Sequence, residues 1–153
     1  MKNLALGSSL LFGLGFWTVG CGDSESNPCP TGQVECDGVC IDEVEPTLTS
    51  IQSGVFEISC TASSCHDANF PAEMLDLSSL SASEANLINV EAQEVDFNRV
   101  TPGDIGASYL MNKLLGVDMA PDTDRMPQLD PDGLCDAKLQ AVEQWIEAGA
   151  PID

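Results

Sequence analysis

The chain has 153 residues, with Lys+Arg 5 against Asp+Glu 25 and a formal net charge of −20. That balance excludes nucleic-acid binding, which needs a basic footprint, and electrostatic docking on an anionic lipid surface. A hydrophobic fraction of 43% at this length allows one modest domain with tails, and a single histidine excludes any site built from several.

In chain order, Lys2 precedes an apolar run from Leu4 to Val19 broken only by Gly, Ser and Thr. A cationic start and a short apolar core predict an export signal rather than a membrane span. The run ends at Thr18-Val19-Gly20-Cys21, which resembles the lipobox of bacterial lipoproteins. The resemblance implies a signal peptide over 1–20 and a lipidated Cys21 that becomes the N-terminus. Acyl chains would then be the membrane contact, each buried CH₂ contributing about 0.8 kcal/mol. The protein would be exported and anchored in the cell envelope, at the outer membrane, facing the periplasm or the cell surface. The alternative is a plain secreted protein with Cys21 unmodified or paired. Residues 21–28 read as a flexible tether of Gly, Asp, Ser, Glu, Asn and Pro. Removing residues 1–20 removes Lys2 and no acid, so the mature chain is more acidic still. Such a surface selects basic partners.

Residues 29–45 place Cys29, Cys36 and Cys40 among the turn dipeptides Thr31-Gly32 and Asp37-Gly38. A segment this short buries no core of its own and needs staples. Export permits disulfides. The segment resembles a fragment of the short cysteine-rich repeats of secreted myxobacterial proteins. Zinc is the weaker alternative, because only three cysteines lie here and the exported compartment is oxidising.

From Pro46 to the C-terminus the expected fold is mainly α, a small helical domain with long loops over residues 46–153. Pro46 sits at a helix start, and Leu48, Ile51, Val55, Phe56 and Ile58 form an apolar pattern behind it. Ser81-Ala82-Ser83-Glu84 reads as a capping box opening a short helix through Leu87 and Ile88. A turn at 101–104 feeds a helix with Tyr109, Leu110, Lys113, Leu114 and Leu115, closed by Gly116. Residues 118–133 form a loop rich in Asp and Pro. The last helix runs from Asp136 to Ala148, with Leu139, Val142, Trp145 and Ile146 on one face and Gly149 as its stop. No stretch alternates over a strand length.

The candidate chemistry concentrates at Cys60-Thr61-Ala62-Ser63-Ser64-Cys65-His66. Cys-x-x-Cys-His is the attachment motif of c-type haem, in which two thiols hold the porphyrin and the histidine ligates iron. Here four small residues separate the cysteines. The chain's one histidine directly follows the second of them. The alternative is a Cys60–Cys65 disulfide with an incidental histidine, which needs a local turn to bring the Cα atoms within about 7 Å. With Cys21 set apart, Cys29, Cys36, Cys40 and Cys135 remain as candidates for two disulfides. One of these would tie the cysteine-rich segment to the loop before the last helix.

Over residues 47–153 the sequence resembles the single-haem class I cytochromes c, specifically the cytochrome c-like domains of planctomycete and myxobacterial surface proteins. The carriers are Val55-Phe56, Cys65-His66, Leu75-Asp76-Leu77, Val100 to Asp104, Ser108-Tyr109-Leu110, Arg125-Met126-Pro127 and Trp145 to Ala150. The resemblance implies one covalent haem c on Cys60 and Cys65, with His66 as proximal iron ligand. It implies Met126 as distal ligand, with Met119 as runner-up. It implies that Gly54, with Val55 and Phe56, meets Trp145 where the terminal helices cross. The expected function is an anchored electron carrier and not an enzyme, passing electrons to a basic redox partner protein. An open distal position would instead permit peroxidase-like chemistry. The rival reading is a haem-free structural or binding module that keeps the scaffold and a Cys60–Cys65 disulfide.

Overall fold

The computed structural model describes residues 28–152. The expected export signal, Cys21 and the expected tether up to residue 27 lie outside the described residues.

Strands β1 (Gln33–Cys36) and β2 (Val39–Asp42) pair antiparallel, with Gln33 opposite Asp42 and Cys36 opposite Val39. The two-residue loop between them holds Asp37 at φ 52° and Gly38 at φ 84°. Positive φ at both positions matches the right-handed twist of the strands, which is why Asp-Gly is favoured there. Disulfides join Cys29 to Cys40 and Cys36 to Cys135. The expectation of a mainly α fold is therefore corrected: helices and a two-stranded antiparallel sheet make a small mixed α/β fold. The hairpin escapes a reading by alternation because cysteines occupy positions that hydrophobic residues usually mark.

Thr47 caps α1 (Leu48–Ile51), its hydroxyl accepting from the Ser50 amide at 3.2 Å. The chain continues without a break through a π-helical turn, Gln52–Phe56, into α2 (Glu57–Ser59). Gln52 in that turn is buried, so its amide must find partners. Its Nε2 donates to the Leu77 carbonyl at 2.9 Å, and its Oε1 accepts from the Ser83 hydroxyl at 2.6 Å.

Helix α3 (Leu80–Leu87) is capped by Ser79, whose hydroxyl accepts from the Ala82 amide, and not by Ser81. Ser83 is fully buried and committed to Gln52, which leaves the capping role to the earlier serine. Helix α4 (Tyr109–Leu115) ends at Gly116, which adopts the left-handed conformation. Helix α5 (Asp136–Glu147) begins next to the disulfide-bonded Cys135.

The core lies between the first helical segment and α5. Leu48, Ile51, Val55 and Phe56 pack with Val142, Trp145 and Ile146, and all are essentially inaccessible. The indole Nε1 of Trp145 donates to the Pro151 carbonyl at 3.1 Å, which satisfies its polar end. The expected contact of Gly54 with Trp145 is not what the glycine serves. A Cβ at Gly54 would stand 2.8 Å from Val44 Cγ2, so the missing side chain admits Val44 from the cysteine-rich segment. Val44 thereby joins the core.

The Cys36–Cys135 bond closes a sequence separation of 99, against 11 for Cys29–Cys40. Loop-closure entropy makes the longer link worth more, and replacing Cys36 and Cys135 by Ala is expected to lower stability by about 4 kcal/mol. Replacing Cys29 and Cys40 is expected to cost less, and urea denaturation of both variants measures the order. The reverse order would contradict a chain-spanning role for the first bond.

Candidate functional site

The first helical segment gives out at Cys60, whose amide donates to the Phe56 carbonyl at 2.8 Å. The small residues 61–64 then turn the chain back. The Cys65 amide donates to the Ala62 carbonyl at 2.9 Å, Ser64 takes φ 70°, and the His66 amide donates to the Cys60 carbonyl at 3.1 Å. Segment 60–66 is thus a closed loop that sets His66 beside Cys60 despite the wide cysteine spacing. The Asp67 carboxylate fastens the exit, accepting from the amides of Phe70, Asn69 and Ser64. Those hydrogen bonds, the Phe70 amide first, hold its carboxyl below the usual carboxylate range.

His66 Nδ1 lies 3.1 Å from the Leu75 carbonyl oxygen. A carbonyl only accepts, so the proton belongs on Nδ1 and the lone pair on Nε2. Burial pulls the imidazole below its ordinary pKa, and the charges of Arg99 and Lys113 add to this. The nearby backbone carbonyls of Leu75, first, and Ala72 oppose the shift. The result is a neutral, oriented imidazole, the form that ligates a metal.

Cys60, His66 and Met126 line one cavity of about 350 Å³. Phe56, Leu77, Leu87, Leu110 and Leu114 give it apolar walls. The size and lining suit a largely apolar ligand oriented by a few polar groups. Met119 does not line this cavity, Met111 is buried in the core and Met74 is exposed. Cys65 also lies outside the lining.

Cys60 and Cys65 are both half-buried, unbonded thiols, so the Cys60–Cys65 bridge is not formed. Burial, reinforced by Cys65 and opposed by Lys138, pushes the Cys60 thiol up to about 12. A thiol that keeps its proton is a poor nucleophile and a poor zinc ligand. Among the described residues, the cluster of metal-type donors is Cys36, Asp37 and Cys135, and its two sulfurs are bonded to each other.

Two site residues that sequence reasoning missed are cations. Arg99 and Lys113 are buried and line the cavity. The Arg99 guanidinium donates to the carbonyls of Glu73 at 2.7 Å, Asn86 at 2.9 Å and Met74 at 3.5 Å. Burial lowers its pKa, and neighbouring Glu73 opposes the shift. Lys113 pairs with Glu94 at 3.4 Å and lies 6.0 Å from the centre of the Tyr109 ring. The available signal is scarcity: only Arg99, Lys113, Arg125 and Lys138 are basic after residue 20, so each needs a reason.

No family model, curated protein or solved structure matches this chain.

The raised Cys60 pKa has a direct consequence for the thiol form of the protein. At about pH 8, Cys60 is expected to react with iodoacetamide roughly a hundredfold more slowly than in the urea-unfolded chain. Peptide mass mapping measures the two rates, and equal rates would contradict a buried thiol.

Proposed function

We propose that this chain is an exported, lipid-anchored c-type cytochrome-like protein that binds one covalent haem and transfers electrons in the cell envelope. The carrying observation is the meeting of Cys60 and His66 with Met126, 60 residues beyond His66 in sequence, on one largely apolar cavity. Two further features of the donor set fit a haem. The Cys60 and Cys65 thiols are unbonded. The His66 Nδ1 contact with the Leu75 carbonyl leaves Nε2 available. The cations Arg99 and Lys113 share the cavity wall with Glu73, Glu94, Asp122 and Asp124, and are already engaged with backbone carbonyls and with Glu94.

When bound, haem c supplies a one-electron iron couple. Cys60 and Cys65 would hold it by thioether bonds. His66 and Met126 would ligate its iron. Iron held by both would serve electron transfer rather than substrate binding, and histidine–methionine ligation raises the potential over that of a bis-histidine site. The apolar walls exclude water, and the acidic surface favours a basic redox partner. Lipidation of Cys21 would keep the carrier at the membrane while the tether gives it reach.

The test is spectroscopic, on protein exported from a host that matures c-type haem. The wild type is expected to keep its colour after denaturation and to show a near-infrared band from sulfur-to-iron charge transfer. Met126→Ala is expected to keep the covalent haem and lose that band, while Met119→Ala keeps both. A colourless wild type overturns the proposal, and a band that survives Met126→Ala moves the distal ligand elsewhere.

A further inference from the structure

Residues 117–135 join α4 to α5 without regular secondary structure, yet this segment carries Met126. A long irregular connection has much conformational entropy to lose, so a side chain on it is aimed only if specific contacts hold it. Two such contacts converge on the residue before the methionine. A Cβ at Gly116 would stand 2.7 Å from Arg125 Cδ and 3.1 Å from its Cγ. A Cβ at Gly133 would stand 2.7 Å from Arg125 Nη2 and 2.8 Å from its Cζ. The arginine stem therefore lies against the end of α4, and its guanidinium lies over the backbone leading into α5. Any side chain at either glycine would displace it. Both glycines are also at positive φ, 72° and 82°.

The guanidinium is used for a hydrogen bond and for contact rather than for charge pairing. Its Nη2 donates to the Pro131 carbonyl at 2.7 Å. Among the described residues the ion pair is Lys113 with Glu94, although Asp124, Asp130 and Asp132 all lie near Arg125 in sequence. A flat, rigid fork suits a bare glycine backbone in a way that a lysine ammonium does not. On the other side, the Met126 amide donates to the Lys113 carbonyl of α4 at 2.8 Å. Pro127 is buried. Beyond Gly133, Leu134 is buried and Cys135 is bonded to Cys36. Arg125 thus straps the loop between two anchored ends.

We infer that Arg125 is a positioning residue that fixes the Met126 loop by lying across the side-chain-free positions Gly116 and Gly133. The inference deepens the proposed haem site, and rests on it for the claim that Met126 is the group being aimed. In the haem-loaded protein a loosened loop would yield its place more readily to an added ligand.

The experiment uses the exported full chain with Arg125→Ala, Arg125→Lys and Gly133→Ala, each compared with the wild type. The first readout is hydrogen exchange at the Met126 amide, which needs no haem. Loss of the arginine contacts is expected to speed it about tenfold, the equivalent of one lost hydrogen bond to a charged group, while the core amides of α5 keep their rates. The second readout is imidazole binding to the ferric protein, expected to strengthen by about tenfold in Arg125→Ala, with a weakened near-infrared band and the covalent haem retained. Gly133→Ala is expected to act in the same direction, through displacement of the guanidinium together with the strain of a side chain at φ 82°. Arg125→Lys, which keeps the stem, guards against a misfolded alanine variant and is expected to fall between. Unchanged Met126 exchange in Arg125→Ala overturns the strap. Faster exchange with unchanged imidazole affinity reduces it to a structural contact and overturns the positioning role. A wild type without covalent haem defeats the haem proposal, and with it the aiming of Met126, while the exchange rates still decide whether the strap exists.

Discussion

The contact between His66 Nδ1 and the Leu75 carbonyl, at 3.1 Å, determines which nitrogen of the chain's one histidine is left to bind. Everything claimed for the cavity depends on it, because an imidazole with the other tautomer would offer a proton where a lone pair is required. The contact is itself held by unusual backbone. Glu73 and Met74, just before Leu75, sit at φ 51° and 53°, a conformation that costs of order 1 kcal/mol or more for each non-glycine residue. Arg99 offsets that cost by donating to the carbonyls of both. A buried cation in an acidic protein thus stabilises the turn that orients the imidazole.

The frame around this turn is assembled from parts that could not stand alone. The hairpin β1–β2 is too small to fold by itself. It is stapled by Cys29–Cys40, tied to the start of α5 by Cys36–Cys135, and followed by Val44, which fills the space over Gly54. Helix α5 presents Trp145 and Ile146 to the first helical segment, and that segment delivers Cys60 to the cavity. The acidic surface and the largely apolar cavity therefore share one scaffold, and the long loop after α4 adds Met126 to the cavity lining.

Local chemistry made part of this legible in sequence. Cys65-His66 is a contiguous signal, and Gly116 and Gly149 mark helix ends because a left-handed residue is needed there. Met126 came from resemblance alone, since nothing near it in sequence says what it faces. What stayed hidden was long-range. Whether Arg99 reaches Glu73 and Asn86, or Gly54 faces Val44 rather than Trp145, depends on packing between distant segments. The hairpin was a different failure: Asp37-Gly38 between Val34-x-Cys36 and Val39-x-Ile41 is a local strand signal, obscured by reading the cysteines only as staples. The true cap of α3 at Ser79 was likewise obscured, because Ser81 and Ser83 offered the same chemistry within a few residues.

The most direct measurement is the intact mass of the exported protein from a host that matures c-type haem, with fragmentation across residues 60–66. Haem attachment predicts one porphyrin's mass beyond polypeptide and acyl anchor, localised to Cys60 and Cys65. A mass accounted for by amino acids and lipid alone, with those two sulfurs bare or joined to each other, would contradict it.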